Sequence, residues 1–319
     1  MGSPLVAGSR RGRRELRLGA AALLALTSVA VLAPWLSNAD PTVQYDPVHG
    51  ANLAPGSRRF EILKTDGTRL LRRTAEPVPA GSVASGCGEP ARKRLFLLGT
   101  DRLSRDVWAR LLHGSRISLL VAFLAALLAS LVGIAAGSAA VLGGRVADAV
   151  LMRLTDGFAA FPRLFLLLAL AAFLDTGALT VILVLGVTSW MSVARLVRAE
   201  LLRLESTEMA LAARASGSSK LRTLLMHLLP NTLGPVAVAT TLRIGDVLLL
   251  EAALSFLGLG IRPPTPSWGN MIADGAPDIA TAWWTSTLPG VAIVVTVVAF
   301  NLVGDGLSSR FGRPATTTP

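Results

Sequence analysis

Long apolar runs divide this chain into segments, and the polar stretches between them differ greatly in length. The runs cover residues 16–36, 117–142, 150–174, 178–197, 233–257 and 286–307. An α-helix rises ~1.5 Å per residue, so about 20 residues cross a hydrocarbon core ~30 Å thick. The pattern therefore predicts an all-α polytopic membrane protein with about six transmembrane helices.

The composition of the chain agrees with a membrane location. Of its 319 residues, 52% are hydrophobic and only 16% are charged, and the mean hydropathy is +0.56. That balance is too apolar for a soluble domain of this length. Cys87 is the only cysteine, which excludes an intrachain disulfide and a thiolate metal cluster.

The net charge of +11 comes largely from Lys and Arg residues that stand beside the apolar runs. Neither a zinc-finger spacing nor an aromatic-basic RNA motif accompanies them, so we expect contact with the lipid bilayer rather than nucleic acid. Four arginines precede the first run and predict a cytoplasmic N-terminus: Arg10, Arg11, Arg13 and Arg14. A cleaved signal peptide is the alternative, although the run exceeds the usual ~7–15-residue signal core. Alternation through the spans then puts the tail, residues 311–319, in the cytoplasm as well.

Residues 37–106 form a polar segment rich in proline, glycine and charge, which predicts an external loop or small subdomain. Within it, residues 59–64 and 69–71 flank Asp66-Gly67, a pair that supplies the positive φ angles of a tight turn. We therefore expect a β-hairpin. The segment is basic, but loops of this length escape the positive-inside rule.

The segment 207–231 has polar edges and many small residues, yet it lies between two apolar runs, so we expect it outside the bilayer. Ser206 or Thr207 can cap a helix that begins at Glu208, whose carboxylate suits the positive helix end. Gly217 ends that helix, because glycine tolerates the left-handed conformation. Alanines leave the helix surface nearly bare, which suits close docking: Ala210, Ala212, Ala213 and Ala215.

The same segment carries Ala212-Ala213, three further residues, Gly217 and, after a second short helix over 220–229 that should end before the proline, Leu229-Pro230. This pattern resembles the EAA motif of inner-membrane permease subunits in binding-protein-dependent ABC importers. Leu211 occupies the position of the motif's glutamate, and Glu208 lies one turn earlier. The resemblance implies that the segment couples to an ATPase through Glu208, Ala212, Ala213, Arg214, Gly217, His227, Leu229 and Pro230.

Other stretches resemble the dipeptide/oligopeptide/nickel branch of that family, namely 98–106, 227–231, 251–271 and 301–305. The resemblance implies a type I importer (MetI-like) permease fold over residues 107–310. The apolar run and its arginines predict a basic N-terminus and first helix over residues 1–36 ahead of it. It implies a multi-pass protein of the bacterial cytoplasmic (inner) membrane. The implied partners are a second homologous permease subunit, two ABC ATPase subunits that hold ATP and Mg²⁺, and an external substrate-binding protein. No cofactor and no metal are expected on this chain.

Charged residues within the predicted spans are expensive and therefore mark candidate sites. Arg243 and Asp246 lie at i and i+3, where an ion pair is geometrically natural, and Glu251 follows in the same run. These residues predict either a polar lining of a translocation path or a self-neutralised pair at a subunit interface.

Two further features have a structural and a functional interpretation. Pro264, Trp268 and Asn270 belong to a proline-stiffened loop that we expect to form an external gate or to contact the binding protein. Gly133-x-x-x-Gly137 predicts close helix packing, either within the subunit or in a dimer.

The chain carries no motif for nucleotide or hydrolytic chemistry, since G-x-x-x-x-G-K-[ST], H-E-x-x-H and G-x-S-x-G are all missing from the sequence. We therefore expect a transport subunit without catalytic residues rather than an enzyme. The resemblance implies di- or oligopeptides or related small solutes as its cargo. The alternatives are an ion-coupled secondary transporter, suggested by the charges in the fifth run, and a membrane-anchored receptor or scaffold, suggested by the external loop.

Overall fold

The computed structural model describes residues 4–37, 39–63, 69–72, 92–175 and 177–311. Cys87 and the tail 312–319 lie outside these ranges. The α-helices are α1 (Pro4–Leu36), α2 (Val107–Leu142), α3 (Gly144–Ala160), α4 (Arg163–Phe173), α5 (Ala178–Val187), α6 (Met191–Glu205), α7 (Glu208–Ala215), α8 (Lys220–Thr223), α9 (Leu229–Phe256), α10 (Trp268–Gly275) and α11 (Trp284–Phe311). A π-helical turn, Leu224–Leu228, joins α8 to α9, and a 3₁₀ turn, Ala276–Asp278, follows α10.

Four helical stretches of the described chain are long and apolar enough to cross a membrane: Gly12–Leu36, Val107–Leu142, Lys220–Phe256 and Trp284–Arg310. Helices α5 and α6, bent by 43° at their junction, give a fifth if they form one broken span. The remaining predicted run, 150–174, is divided between α3 and α4. Pro162 disfavours helical backbone at Phe161, which is extended with ψ 135°. The polytopic helical class is confirmed, and the count of six spans stays a prediction.

The chain divides into two compact units. The coupling unit, which contains segment 207–231, comprises Met1–Ala25, Leu119–Glu251 and Val295–Pro319. The loop unit, which contains the strands, comprises Leu26–Ser118 and Ala252–Val294.

Close packing of α2 on α6 builds the coupling unit. A Cβ added to Gly133 would lie 2.5 Å from the Cβ of Val193, and one added to Gly137 would lie 2.7 Å from the carbonyl oxygen of Ala194. No real Cβ tolerates such distances, so both glycines let the two helix backbones approach. Packing within the subunit is therefore confirmed as a role of Gly133-x-x-x-Gly137.

The loop unit contains a three-stranded antiparallel sheet of order β2-β1-β3, formed by β1 (Ser57–Leu63), β2 (Arg69–Arg72) and β3 (Arg92–Phe96). Ile62 pairs with Leu70, which confirms the predicted hairpin. Its Asp66-Gly67 turn lies outside the described residues. The third strand was not predicted, because residues 73–91 separate it from the hairpin and no turn signal joins it to β1.

A small apolar core holds this sheet. Tyr45, Leu53, Leu71 and Phe96 form the apolar cluster. Burial raises the pKa of Tyr45 to about 12, against the opposing positive charge of a neighbouring arginine. These contacts supply the packing surface without which an isolated hairpin is marginal.

Glu61 of β1 forms ion pairs with arginines of both neighbouring strands. It accepts from Arg69 at 2.7 Å and from Arg94 at 2.9 Å. Burial would raise the pKa of Glu61, but the hydrogen bonds from Arg94 and Arg69 outweigh it and hold that pKa below its usual value. The carboxylate is thus charged and paired in the folded state.

Candidate functional site

Helix α7 of the coupling unit begins at Glu208, as the sequence predicts, but the predicted hydroxyl cap is wrong. Thr207 has the extended backbone of an N-cap residue, yet its hydroxyl donates to the carbonyl oxygen of Leu204 at 2.6 Å. Ser206 likewise donates to the carbonyl oxygen of Arg203. The connection between α6 and α7 is so short that these hydroxyls satisfy the unpaired carbonyls at the end of α6 instead.

The predicted glycine turn is confirmed. Gly217 has φ +79° and its amide donates to the carbonyl oxygen of Arg214 at 2.9 Å, while the amide of Ser218 donates to that of Ala213 at 3.1 Å. These two bonds form a Schellman motif, which closes a helix through a left-handed residue. No heavy atom lies within 4 Å of a Cβ added at Gly217, so the turn is open on its outer side.

The second predicted helix does not end before Pro230. Helix α8 passes through the π-helical turn directly into α9, which contains the proline. A proline ring clashes with the carbonyl one turn earlier and donates no hydrogen bond. The wider π-helical turn relieves that clash, and the side-chain Nδ2 of Asn231 donates to the carbonyl oxygen of His227 at 2.6 Å. The segment is therefore continuous with a candidate membrane span.

One face of the segment anchors it to the coupling unit. Ala210 of α7 and Leu224 and Leu228 of the π-helical turn are buried in one cluster with Leu201 and Leu204 of α6. Burying one such leucine contributes about 1.5–3 kcal/mol. The segment is consequently packed onto α6 as a body and is not a free loop.

The remaining surface of the segment is exposed and mixes large apolar side chains with charged ones such as Glu208, Arg214 and Arg222. Leu211, in the position of the motif's glutamate, is 56% exposed, and Met226 is 68% exposed. Met209, Leu221 and Leu225 are exposed as well. Five large apolar side chains exposed on one short segment are typical of a protein contact surface.

The predicted coupling residues differ in exposure. Five are exposed, namely Glu208, Ala212, Arg214, Gly217 and Pro230, and three are half-buried, namely Ala213, His227 and Leu229. Arg214 forms an ion pair with Glu205, which ties α7 to the end of α6. The eight residues therefore lie on one anchored segment, as the motif implies.

Of the two alternatives for Arg243 and Asp246, the self-neutralised ion pair is wrong, and the lining of a translocation path stays a prediction. Arg243 donates from Nη1 to the carbonyl oxygen of Ser189 at 3.1 Å and from Nη2 to the hydroxyl of Ser192. Asp246 is exposed, and no ion pair within 4 Å joins the two side chains. The long arginine side chain reaches the break between α5 and α6, where carbonyl groups lack helical partners.

A second arginine, Arg163, reaches the same break and was missed by sequence reasoning. Its Nη2 donates to the hydroxyl of Ser189. Arg163 and Arg243 line a cleft of about 180 Å³ together with Ser189, Ser192 and Phe161, which we call the arginine cleft. The sequence signal was the pair of polar interruptions in apolar runs, at Pro162 and at Thr188-Ser189.

Two other predicted site groups are buried. Glu251 is fully buried and has a partner within the protein. Trp268 is 1% exposed and donates from Nε1 to the carbonyl oxygen of Leu111 at 3.2 Å. Asn270 forms a capping box with Ser267 at the start of α10.

The burial of Trp268 and Asn270 differs from the predicted gate or partner contact, because both side chains hold the proline-rich loop together. The buried packing of Trp268 and the capping role of Asn270 explain why these residue types stand in the loop. Of the three residues, only Pro264 is exposed, so only Pro264 remains a predicted contact with the binding protein or part of a gate.

A buried ion cluster explains the conspicuous polar stretch 98–106. Asp101 accepts from Nε of Arg105 at 2.7 Å and from Nη1 of Arg110, while Asp274 accepts from Arg105 at 2.6 Å and from Arg110 at 2.9 Å. We call these four residues the ion cluster. Asp106 accepts from the amides of Trp108 and Ala109 at the start of α2, and burial raises the pKa of its carboxyl.

Comparisons with known proteins agree with this architecture. Residues 113–314 match the family described as binding-protein-dependent transport system inner membrane component. The chain is 36% identical over 307 residues to a putative peptide transport system permease protein of Brucella suis, covering 96% of this chain and 90% of the relative. It is 40% identical over 212 residues to the di/tripeptide transport system permease protein DppC of Pseudomonas aeruginosa, covering 66% and 70% of the two chains.

The fold also matches a solved structure of the MetNI methionine ABC transporter in an inward-facing conformation. The TM-score is 0.53 at 20% sequence identity, and the match covers 64% of this chain and 97% of the other. The type I importer permease fold that the sequence implies is thereby confirmed.

Proposed function

Because the chain belongs to the family of binding-protein-dependent transport system inner membrane components, we propose that it carries peptides through the cytoplasmic membrane as one permease subunit of an ABC importer. Family membership supports separate ATPase and substrate-binding partners. Two relatives described as peptide or di/tripeptide permeases, one of them similar over 96% of this chain, support di- or oligopeptides as the substrate class.

The observation that carries the proposal is segment 207–231, which is anchored on one side and exposes five large apolar side chains on the other. Its buried side packs on α6, and its continuation through Pro230 leads without interruption into α9. A force applied at Leu211 or Gly217 therefore acts on two helices of the coupling unit. Closure of the ATPases around ATP moves the segment as a rigid body and switches access between the two faces of the membrane.

The proposed complex contains this chain, a second homologous permease subunit, two ABC ATPase subunits and an external binding protein. ATP and Mg²⁺ are held on the ATPases, so this chain contributes no catalytic residue. Both termini lie in the cytoplasm, and the loop unit's sheet lies outside. The basic residues near the N-terminus support this orientation.

The test replaces Gly217 by Asp in the purified, reconstituted complex. The left-handed backbone costs about 1 kcal/mol for most residues, whereas a charged group at a tight apolar interface weakens association by about 1–3 kcal/mol more. ATPase retention and substrate-stimulated ATP hydrolysis should fall several-fold to about a hundredfold.

Gly56→Asp is the matched control, because Gly56 has φ +78° and, like Gly217, no heavy atom within 4 Å of an added Cβ. It carries the same backbone penalty but lies in the loop unit, so coupling should persist. Equal losses in both variants would reveal a folding effect. ATPases that stay bound and coupled in Gly217→Asp would show that the segment is not the docking site, and peptide uptake without ATPases would contradict the importer mechanism.

A further inference from the structure

The arginine cleft lies where two broken helices of the coupling unit meet. One wall comes from the break between α3 and α4 at Phe161 and Pro162, and another comes from the break between α5 and α6 over residues 188–190. Arg243 reaches the cleft from α9. A volume of about 180 Å³ is large compared with the ~30 Å³ that a water molecule occupies in the liquid. The cleft can therefore hold a small polar group together with a short side chain.

The cleft has an excess of positive charge. Arg163 and Arg243 both donate to Ser189, and their other described acceptors are neutral. The Nε atom of each guanidinium group is buried without a hydrogen-bond acceptor among the described residues. Asp246 attracts both guanidinium groups from a distance, but one carboxylate cannot neutralise two arginines.

A third arginine at the edge of the cleft does not change this balance. Arg195 lines the cleft and forms an ion pair with Asp156 at 3.5 Å, in which both side chains are largely exposed. That pair is neutral as a unit. The surplus charge therefore resides on Arg163 and Arg243.

Helix ends of both polarities meet at the cleft, because α3 and α5 end at the breaks where α4 and α6 begin, so the net positive charge comes from the two guanidinium groups. Helix α4 begins at Arg163 and helix α6 begins at Met191, so the N-termini of both lie at the cleft. Neither helix has an acidic residue in its first turn. The free amides of helix N-termini carry about half a positive charge and attract anions.

We propose that the arginine cleft binds the C-terminal carboxylate of the peptide during transport. An arginine that lacks a carboxylate partner within a membrane protein is costly, and an anionic ligand offsets this cost by restoring neutrality. The planar guanidinium group suits a carboxylate because it donates two parallel hydrogen bonds. Phe158, Phe161 and Leu166 supply an apolar wall for the adjoining side chain. This inference rests on the proposed peptide transport.

The experiment compares one dipeptide as its free acid with the same dipeptide as its C-terminal amide. Uptake is measured in proteoliposomes that contain the whole complex, for the wild type, Arg163→Gln and Arg243→Gln. Hydrogen bonds to charged groups account for about 10- to 100-fold in binding. The variants should raise the KM for the acid by about that factor and the KM for the amide much less, and the yield of assembled complex shows whether they fold.

Three further variants sharpen the result. Arg145→Gln removes an exposed arginine of the same unit and should leave the acid-to-amide ratio as in the wild type. Arg243→Lys keeps the charge but loses the fork geometry, so its ratio should fall between those of the wild type and Arg243→Gln. Equal losses for acid and amide in Arg163→Gln and Arg243→Gln would make the cleft structural and overturn the inference.

Thermal unfolding of the purified complex without the binding protein tests the cleft independently of transport. The acid should raise the unfolding temperature of the wild type, and neither the amide nor the Arg243→Gln variant should show this effect. Acid-specific stabilisation without ATP-dependent uptake would keep the cleft and refute the proposed function. Uptake with no acid-specific effect of the variants would keep the proposed function and overturn the inference about the cleft.

A lipid phosphate could satisfy the same arginines, and vesicle composition separates the two sources. Uptake is measured in phosphatidylcholine vesicles with and without phosphatidylglycerol. The effect of Arg243→Gln on the acid should be the same in both. An effect that requires phosphatidylglycerol would assign the cleft to a lipid headgroup and overturn the peptide interpretation.

Discussion

Arginine side chains have different hydrogen-bond partners in the ion cluster of the loop unit and in the arginine cleft of the coupling unit. In the ion cluster, Arg105 and Arg110 are 4% and 2% exposed and each donates to two carboxylates. In the arginine cleft, Arg163 and Arg243 donate to serine oxygens alone among their described partners. The first arrangement balances its charges within the subunit, whereas the second does not; an Nε without an acceptor among the described residues is found in both, at Arg110 and at the two cleft arginines.

This difference separates structure from function. A buried arginine with two carboxylate partners is electrically balanced, so it needs no further anion. An arginine held only by neutral oxygens keeps its charge available, and residues of this kind concentrate at binding sites. The comparison teaches that the partner set, rather than burial or position in an apolar run, separates arginines that are neutralised within the chain from those that the proposal assigns to an anionic ligand.

The largest effect is expected for Asp101→Ala in the ion cluster. Asp101 accepts from both arginines and from two backbone amides, so its loss leaves buried guanidinium groups without a sufficient counter-charge. Breaking a buried pair in this way costs about 3–5 kcal/mol. Chemical unfolding of the purified subunit and its yield of assembled complex measure the loss.

Asp156→Ala is the control for this prediction, because its ion pair with Arg195 is largely exposed. Exposed pairs contribute about 0–1 kcal/mol, so stability should hardly change. Similar losses for Asp101→Ala and Asp156→Ala would contradict the assignment of the ion cluster as a stabilising element.

Ser192→Asp should convert the arginine cleft into a balanced cluster like the one in the loop unit. Ser192 already accepts from Arg243 and lies in the first turn of α6, where a carboxylate also interacts favourably with the helix end. We expect a gain of about 1–2 kcal/mol in unfolding free energy. The internal carboxylate should also compete with a peptide acid and lower its uptake.

Ser192→Asn separates charge from size in that experiment. It has the shape of the Asp variant but no charge, so it should gain no stability and should keep the preference for the acid. A stability gain in both variants would point to packing rather than to charge, and would remove the contrast between the two regions.

The spans and the coupling segment could be predicted from the sequence because their signals are local. Four of the six predicted runs lie in helices long enough to cross a bilayer, and Gly217 forms the left-handed turn that its neighbours predict. Segment 207–231 was predicted to act as one unit because the residues of its motif have a fixed spacing within the segment. Information of this kind resides in neighbouring residues.

Side-chain partners from other elements could not be predicted in this way. The spacing of three residues made Asp246 one candidate partner of Arg243, but the side chain bonds to Ser189 and Ser192, which belong to the junction of α5 and α6. Similarly, Asp274 joins the ion cluster from a distant part of the chain. Only tertiary packing determines such pairs, so the sequence indicates the charges without indicating their partners.

A smaller effect is expected from Glu61 in the loop unit, whose pKa is lower in the folded state than its usual value of 4.5. A lowered pKa contributes stability above pH 4.5 that disappears as pH falls through the folded-state pKa. Glu61→Gln should remove this pH dependence and cost about 1 kcal/mol at neutral pH. Unfolding followed by tryptophan fluorescence between neutral pH and pH ~3 measures it. An unchanged acid dependence in Glu61→Gln would assign the effect to other carboxylates.

The smallest effect concerns the coupling between Arg243 and Asp246, which a double-mutant cycle isolates. If the two formed a buried ion pair, the single changes to Ala would each be severe and the double change would recover much of the loss, with a coupling energy of several kcal/mol. Arg243 instead bonds to serine oxygens, and Asp246 is exposed without an ion pair to it. We therefore expect a coupling energy below about 0.5 kcal/mol in the unfolding free energy, since only a screened, distant attraction remains.

Asp246→Ala alone should leave assembly intact, while Arg243→Ala should chiefly lower uptake of the peptide acid. A coupling energy above about 2 kcal/mol would show that the two residues neutralise each other, and the positive charge that distinguishes the arginine cleft from the ion cluster would then be accounted for within the chain.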